Sequence, residues 1–256
     1  MQSHKIHRYG WRKDRTDGRD KVMTFGAPNL LGVPTRSDLR ENCSPVEDQS
    51  TLGSCTANAT VGDLEYLEIK DGVRPMTTNF EYFSRLFVYY NTRDLEGRAT
   101  EDCGGTLRDA IKSAASFGAC NETKWVYDVN KFTIKPSDEC YADGATHKIT
   151  EYHRLDSFPD MIKCLADGYP FVFGFMVYDE FESVSVATTG VLNLPAATEQ
   201  FQGGHAVCGV GYDMDKKIII VRNSWGKEWG MDGYFTMPFD YIKNPDLAQD
   251  FWTIRR

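Results

Sequence analysis

The chain has 256 residues, of which 41% are hydrophobic and 26% charged, with 37 acidic against 29 basic side chains and a net charge of −8. That is the composition of a globular protein with material for one large domain or two lobes. The acidic balance argues against nucleic acid as a partner, and no run of 18 apolar residues is present to span a membrane. The seven cysteines contain no CxxC pair and the five histidines do not sit at zinc-ligand spacing from them, so no structural metal is expected.

Residues 1–36 read as an N-terminal extension. Its start, "MQSHKIHRYGWRKDRTDGRDK", has no apolar stretch of the secretory type, so neither a signal peptide nor a compartment is indicated. Residues 1–22 hold seven Lys or Arg and three Asp, a charge of +4, against −12 for the remainder. Two readings stay open: a solvated basic tail, or a tail drawn onto its own acidic body. The extension closes with "GAPNLLGVP", where Pro and Gly oppose a continuous helix.

Residues 54–69 place Ala57, Val61, Leu64 and Leu67 at helical steps, predicting an amphipathic helix capped near Ser54 and stopped at residues 70–72. Residues 78–94 predict a second, strongly aromatic helix, and 105–119 a third with Gly118 near its end. Beyond about residue 145 the period changes. Residues 170–178, 204–212, 216–225 and 233–238 are β-branched and aromatic runs bounded by Gly, Pro and Asp, as strands are, with "DMDKK" as a hairpin loop. The expectation is an α+β chain: a mainly helical part over about 37–145, a mainly β part over about 146–256, and a site in the cleft between them.

Three distant segments are candidates to meet and carry the chemistry: those of Cys55, His205 and Asn223. Cys55 stands at a helix start, where the N-terminal dipole favours a thiolate; a neighbouring imidazolium, here His205, lowers the thiol pKa further. Asn223 can accept the other imidazole N–H and fix the ring without removing its charge. Gln49 can donate a side-chain N–H to a developing oxyanion, with the Cys55 backbone N–H as second donor. Each residue alone has a plainer reading, as a buried thiol, a satisfied core histidine or a turn-capping amide.

Together, "PVEDQSTLGSC", "GGHAVCGVGY" and "RNSWGKEWGMDGYF" resemble the papain family of cysteine peptidases, and "DLRENCSPVEDQ" is similar to the start of its mature domain, so the likeness covers about residues 37–252. His205 and Asn223 follow Cys55 by 150 and 168 residues, close to the family's usual interval of about 130–150. The resemblance implies a two-lobed papain-like fold, with a helical left lobe and an antiparallel β-barrel-like right lobe. It implies Cys55 as nucleophile, His205 as general acid and base, Asn223 as its orienter and Gln49 as oxyanion donor. Trp225 would shield the His–Asn pair, Gly104 and Gly105 would pair with an extended substrate backbone, and Gly203 and Ala206 would line the main side-chain pocket. No cofactor is implied, since thiolate chemistry needs none. The implied partners are a peptide or protein substrate and the chain's own extension lying over the cleft as an inhibitor, with the protein a monomer.

Departures mark a divergent branch, and "LGSCTANA", "SRLFVYYN" and "LRDAIK" resemble bacterial or viral members more than animal cathepsins. Leu52 stands where the family carries a half-cystine, leaving Cys103 without its usual partner, and Thr56 replaces the aromatic that normally follows the nucleophile. Cys120 pairs with Cys140 or both stay free, and Cys208 reads as core. Two other functions use the same residues: an acyl transferase or crosslinking enzyme, and a non-catalytic binding protein on the same fold.

Overall fold

The computed structural model describes residues 9–26 and 29–256; Lys5 and Arg8 of the basic stretch lie outside them. Strand β1 (Arg36–Asp38) is followed by the central helix α1 (Cys55–Lys70), then α2 (Arg85–Leu95), α3 (Leu107–Phe117) and α4 (Asp138–Gly144). The β-rich part contains β2 (Glu151–Arg154), α5 (Phe158–Ala166), β3 (Phe171–Tyr178), α6 (Val184–Thr189), β4 (Phe201–Asp213), β5 (Ile218–Arg222), β6 (Tyr234–Pro238), α7 (Phe239–Lys243) and β7 (Ala248–Arg255). The strands form one antiparallel sheet in the order β2-β7-β3-β4-β5-β6, with β1 added along the far end of β4. That path is open, with no ladder between β2 and β6 among the described residues.

Two of the expected helices differ in kind or length. The first is not amphipathic: 14 of its 16 residues are buried, because α1 packs against α2 and α3 on one side and against β4 on the other. The second begins only at Arg85. The Ser84 hydroxyl caps it by accepting from the Phe87 N–H at 3.1 Å, while the Phe83 N–H is taken by Glu65 Oε1 at 2.7 Å, so the residues before Ser84 are committed elsewhere. The third helix starts with Thr106 accepting from the Asp109 N–H and ends at Gly118, whose φ of +74° suits glycine.

Strand β3 shows why its sequence lacks alternation. Phe171, Phe173 and Phe175 point into an aromatic core with Phe181, Trp225, Trp229 and Phe235, while Val172 on the opposite face joins the core around α1. A strand buried on both faces has no polar side to display. All seven cysteines are free thiols, so Cys120 and Cys140 do not pair; Cys208 is buried in β4, as read.

Asp63, midway along α1, is fully enclosed with neither carboxylate oxygen hydrogen-bonded among the described residues. Burial pushes its carboxyl up to about 8, against a weaker downward pull from Arg255. A folded-state value above the unfolded one stabilises the fold at low pH, and that contribution is lost as pH rises from about 4 towards 8. Asp63→Asn, which cannot ionise, should therefore match the native chain near pH 4 and become progressively more stable than it up to pH 8. Thermal denaturation across that range should show the gap widening by several degrees, at about 2–4 °C per kcal/mol for a chain of this size. Parallel curves would sink the idea.

Candidate active site

Cys55 is the first residue of α1 and is fully buried. Ser54, at the capping position, does not cap: its hydroxyl pairs with the Tyr127 hydroxyl at 2.6 Å and accepts from Asn58 Nδ2 at 3.0 Å. The open N–H groups of the first turn, those of Cys55 and Thr56, act on the sulfur instead, together with the N–H groups of Ala206 and Gly10.

His205 enters from β4, directly opposite Phe175 of β3, and is also fully buried. Its Nε2 lies 2.8 Å from Asn223 Oδ1. An amide oxygen only accepts, so the proton sits on Nε2 and Nδ1 is left as the basic atom, buried and without a hydrogen-bond partner among the described residues. Asn223 follows β5 and is held by its own N–H to Gly233 O at 3.0 Å. Trp225 lies over the imidazole with ring centroids 5.1 Å apart and a tilt of 33°, backed by Phe181 and Trp229.

Gln49 ties the two halves of the site together. Its backbone N–H donates to Ser224 O at 2.8 Å, its Oε1 accepts from the Ser224 hydroxyl at 2.5 Å, and its Nε2 donates to Leu52 O at 3.0 Å. The loop before the cysteine is thus pinned to the loop that carries Asn223 and Trp225.

A strap formed by residues 9–26 runs through the cleft. Gly105 N–H donates to Gly10 O at 2.8 Å, Arg12 N–H donates to Gly105 O at 3.0 Å, and Trp11 N–H donates to Gly204 O at 3.0 Å. The Trp11–Gly105 pairing is parallel. The Trp11 indole is buried on Gly174 and Gly204, where an added Cβ would stand 1.9 Å and 2.7 Å from its ring atoms. Tyr9 lies on Gly203, edge-on to His205 at 6.0 Å between ring centroids, and its hydroxyl donates to Glu182. Glycine is required at these places because the strap's rings and backbone occupy the volume of a side chain.

Beyond the cleft the strap is held by its acids as well as its bases. Asp14 accepts from Trp252 Nε1 at 2.8 Å, Arg154 Nη2 at 2.8 Å and the Arg108 N–H at 3.2 Å, while Asp20 accepts from Arg108 Nε at 3.0 Å and Arg154 Nε at 2.7 Å. Arg12 pairs with Glu96. The simple picture of a basic tail on an acidic body therefore describes Arg12 but not the contacts of Asp14 and Asp20.

Enclosure decides the protonation of the central pair. Burial pushes the Cys55 thiol up to about 11, although four backbone N–H groups pull it down. Burial likewise pushes His205 down to about 4, although the bond to Asn223 pulls it up. With the strap seated, both groups are neutral at pH 7.

The sequence-predicted residues come together in this cleft: Cys55, His205, Asn223, Gln49, Gly104, Gly105, Gly203, Ala206 and Trp225. The indole, however, rests on Gly174 and Gly204 rather than on Gly203, and the Ala206 N–H lowers the Cys55 thiol pKa. Trp11, Tyr9 and Gly174 escaped sequence reasoning. Gly174 had a signal, since a glycine inside an otherwise bulky strand run marks the close approach of another group.

The family model for papain family cysteine proteases matches residues 33–251. The uncharacterized peptidase C1-like protein L477 of Acanthamoeba polyphaga mimivirus is 39% identical over 96% of this chain and 86% of its own. Among solved structures, xylellain, a cysteine protease from Xylella fastidiosa, is 38% identical and superimposes with a TM-score of 0.85 over 96% of this chain and 95% of its own. The bromelain protease of Ananas comosus, solved with the E64 inhibitor, is 25% identical with a TM-score of 0.67, covering 87% of this chain and 99% of its own. The chain belongs to the papain family of cysteine proteases.

Proposed function

We propose that the protein is a cysteine endopeptidase that hydrolyses peptide bonds through a Cys55 thioester and is restrained by its own residues 9–12. The observation that carries this reading is the strap's main chain, paired with Gly105 and passing between Cys55 and the glycine wall, where an extended peptide backbone fits. In the free enzyme the Cys55 thiolate attacks the substrate carbonyl, with the oxyanion held by the second Gln49 side-chain N–H and the Cys55 N–H. His205 protonates the leaving amine and then activates water against the thioester, while Asn223 holds the ring and Trp225 keeps water off their bond.

The same geometry supports the restraint. The strap pairs parallel to Gly105, the sense opposite to a substrate pairing antiparallel with that glycine, so its peptide dipoles are reversed in the subsites. It also removes water from Cys55 and His205, and so disfavours the thiolate–imidazolium pair that catalysis requires. Restraint is therefore both steric and electrostatic. Xylellain and bromelain are named as proteases, which favours hydrolysis over acyl transfer for this site.

Removing the indole tests the restraint. Truncation of a buried Trp costs about 3–5 kcal/mol, so Trp11→Ala should raise the rate of E64 labelling at Cys55, and of peptide hydrolysis, by two orders of magnitude or more over the native chain. Equal rates would discard the strap as an inhibitor. In the Trp11→Ala chain, Cys55→Ala and His205→Ala should each lower kcat by ~10³-fold or more. Labelling without peptide turnover in the parent would favour the transferase.

The pH dependence supplies an independent check. With the strap seated, alkylation of Cys55 by iodoacetamide should climb only as pH approaches about 11, where the thiol ionises. In the Trp11→Ala chain it should already be fast at neutral pH, because hydration restores the ion pair. Superimposable profiles contradict the electrostatic part of the restraint.

A further inference from the structure

The disulfide that the family places between the position of Leu52 and Cys103 is absent, yet the two segments it would join are in contact. Leu52 is buried and Cys103 is a free thiol. One residue further on, the Gly53 N–H donates to Asp102 Oδ1 at 3.0 Å. The same oxygen accepts from the Tyr89 hydroxyl, whose oxygen in turn accepts from the Gly104 N–H at 3.2 Å. A Cβ built on Gly53 would stand 3.3 Å from Asp102 Oδ1 and 3.5 Å from Gly104 N, so the two loops touch at this point.

These loops form the walls between which a peptide backbone passes. A Cβ on Gly10 of the strap would stand 1.8 Å from Gly53 O, and a Cβ on Gly104 would stand 2.0 Å from Gly10 O. Their separation therefore sets whether Gly105 can pair with a bound chain. Tyr89 is buried on α2, and burial together with Asp102 holds its hydroxyl well above the ordinary tyrosine range, so it remains a neutral donor.

We propose that Asp102, with Tyr89, is a positioning pair that replaces the missing disulfide and fixes the Gly53 and Gly104–Gly105 walls for peptide binding. The kinetic part of this inference rests on the peptidase reading. The carboxylate touches neither the nucleophile nor its base, so its effect falls on substrate pairing rather than on bond cleavage. Unlike a disulfide, the link also holds when every thiol in the protein is reduced.

The test uses the full-length chain carrying Trp11→Ala. Adding Asp102→Leu should raise KM for a peptide substrate about tenfold or more with kcat changed less than about threefold. Tyr89→Phe, which removes a single hydroxyl, should move KM in the same direction by less. Adding Leu52→Cys to the Asp102→Leu chain then offers a covalent substitute. Oxidised glutathione takes two electrons and two protons from the introduced thiol and Cys103, forming their S–S bond and two molecules of reduced glutathione. Mild thiol treatment frees Cys55 of mixed disulfide, and mass spectrometry verifies the crosslink.

Crosslinked protein should recover the parental KM, and full reduction should abolish the recovery. An unchanged KM in both the Asp102→Leu and Tyr89→Phe chains, or a verified crosslink that restores nothing, overturns the proposal. A second readout does not depend on activity. In chains that keep Trp11, Asp102→Leu should speed amide exchange at Gly105 and Arg12 about tenfold or more, and the crosslink should reverse it. If the Trp11→Ala parent hydrolyses no peptide, the peptidase reading fails, while exchange rates alone still uphold or refute the positioning role.

Discussion

The structure depends on one constraint: α1 is buried between the helical layer and β4, and Cys55 opens it. A helix enclosed on all sides cannot tilt or fray without opening the core around it, so the sulfur stays fixed relative to His205 on β4. This rigidity comes with buried polar groups along the same helix. Glu65 is satisfied by the Ser44 hydroxyl and the Phe83 N–H, and Glu68 by Arg74, His147 and Arg256. Among the acids of α1, Asp63 is the exception, enclosed in the same helix with both oxygens unpartnered among the described residues.

A charged thiolate and imidazolium need either water or fixed dipoles. The site supplies dipoles at the sulfur through the first turn of α1 and Ala206, but only Asn223 at the imidazole. Water must complete the solvation of the pair, and the strap is what removes it. In the proposed reading, blocking the cleft and neutralising the Cys55–His205 pair are thus consequences of one packing event, centred on Trp11 and Tyr9.

The candidate site was legible as a group because the chemistry expected of it requires particular residue types at long, characteristic separations, and the structure brings them together: Cys55 at a helix start, His205 in a glycine-rich strand, Asn223 before Ser-Trp-Gly. Strands β3, β5 and β6 were legible because their residues are bulky and their turns punctuated. The nature of α1 was not. Ala57, Val61, Leu64 and Leu67 make one apolar stripe, whereas Asn58 and Glu65 between them are buried by hydrogen bonds that only tertiary structure reveals. The late start of α2 has a similar cause, since Glu65 claims the Phe83 N–H from another helix. The strap was legible as an extension but not as a fitted piece. Its charge suggested attraction to an acidic body, while its seating depends on an indole, on glycines spread over four segments, and on Asp14 and Asp20 meeting Arg108 and Arg154.

In the proposed reading, the glycines let one cleft hold the strap and, once the strap leaves, a substrate. Gly53, Gly104, Gly174, Gly203 and Gly204 leave the walls without side chains where the strap's backbone and rings press closest. Such walls recognise main chain by hydrogen bonding and accept large side chains by absence of obstruction, so they do not by themselves distinguish an inhibitor from a substrate. Polarity does. A chain running parallel to Gly105 meets the same donors with its carbonyls reversed relative to Cys55. On the proposed reading, the orientation in which the backbone lies, more than the identity of the side chains beside it, separates restraint from turnover.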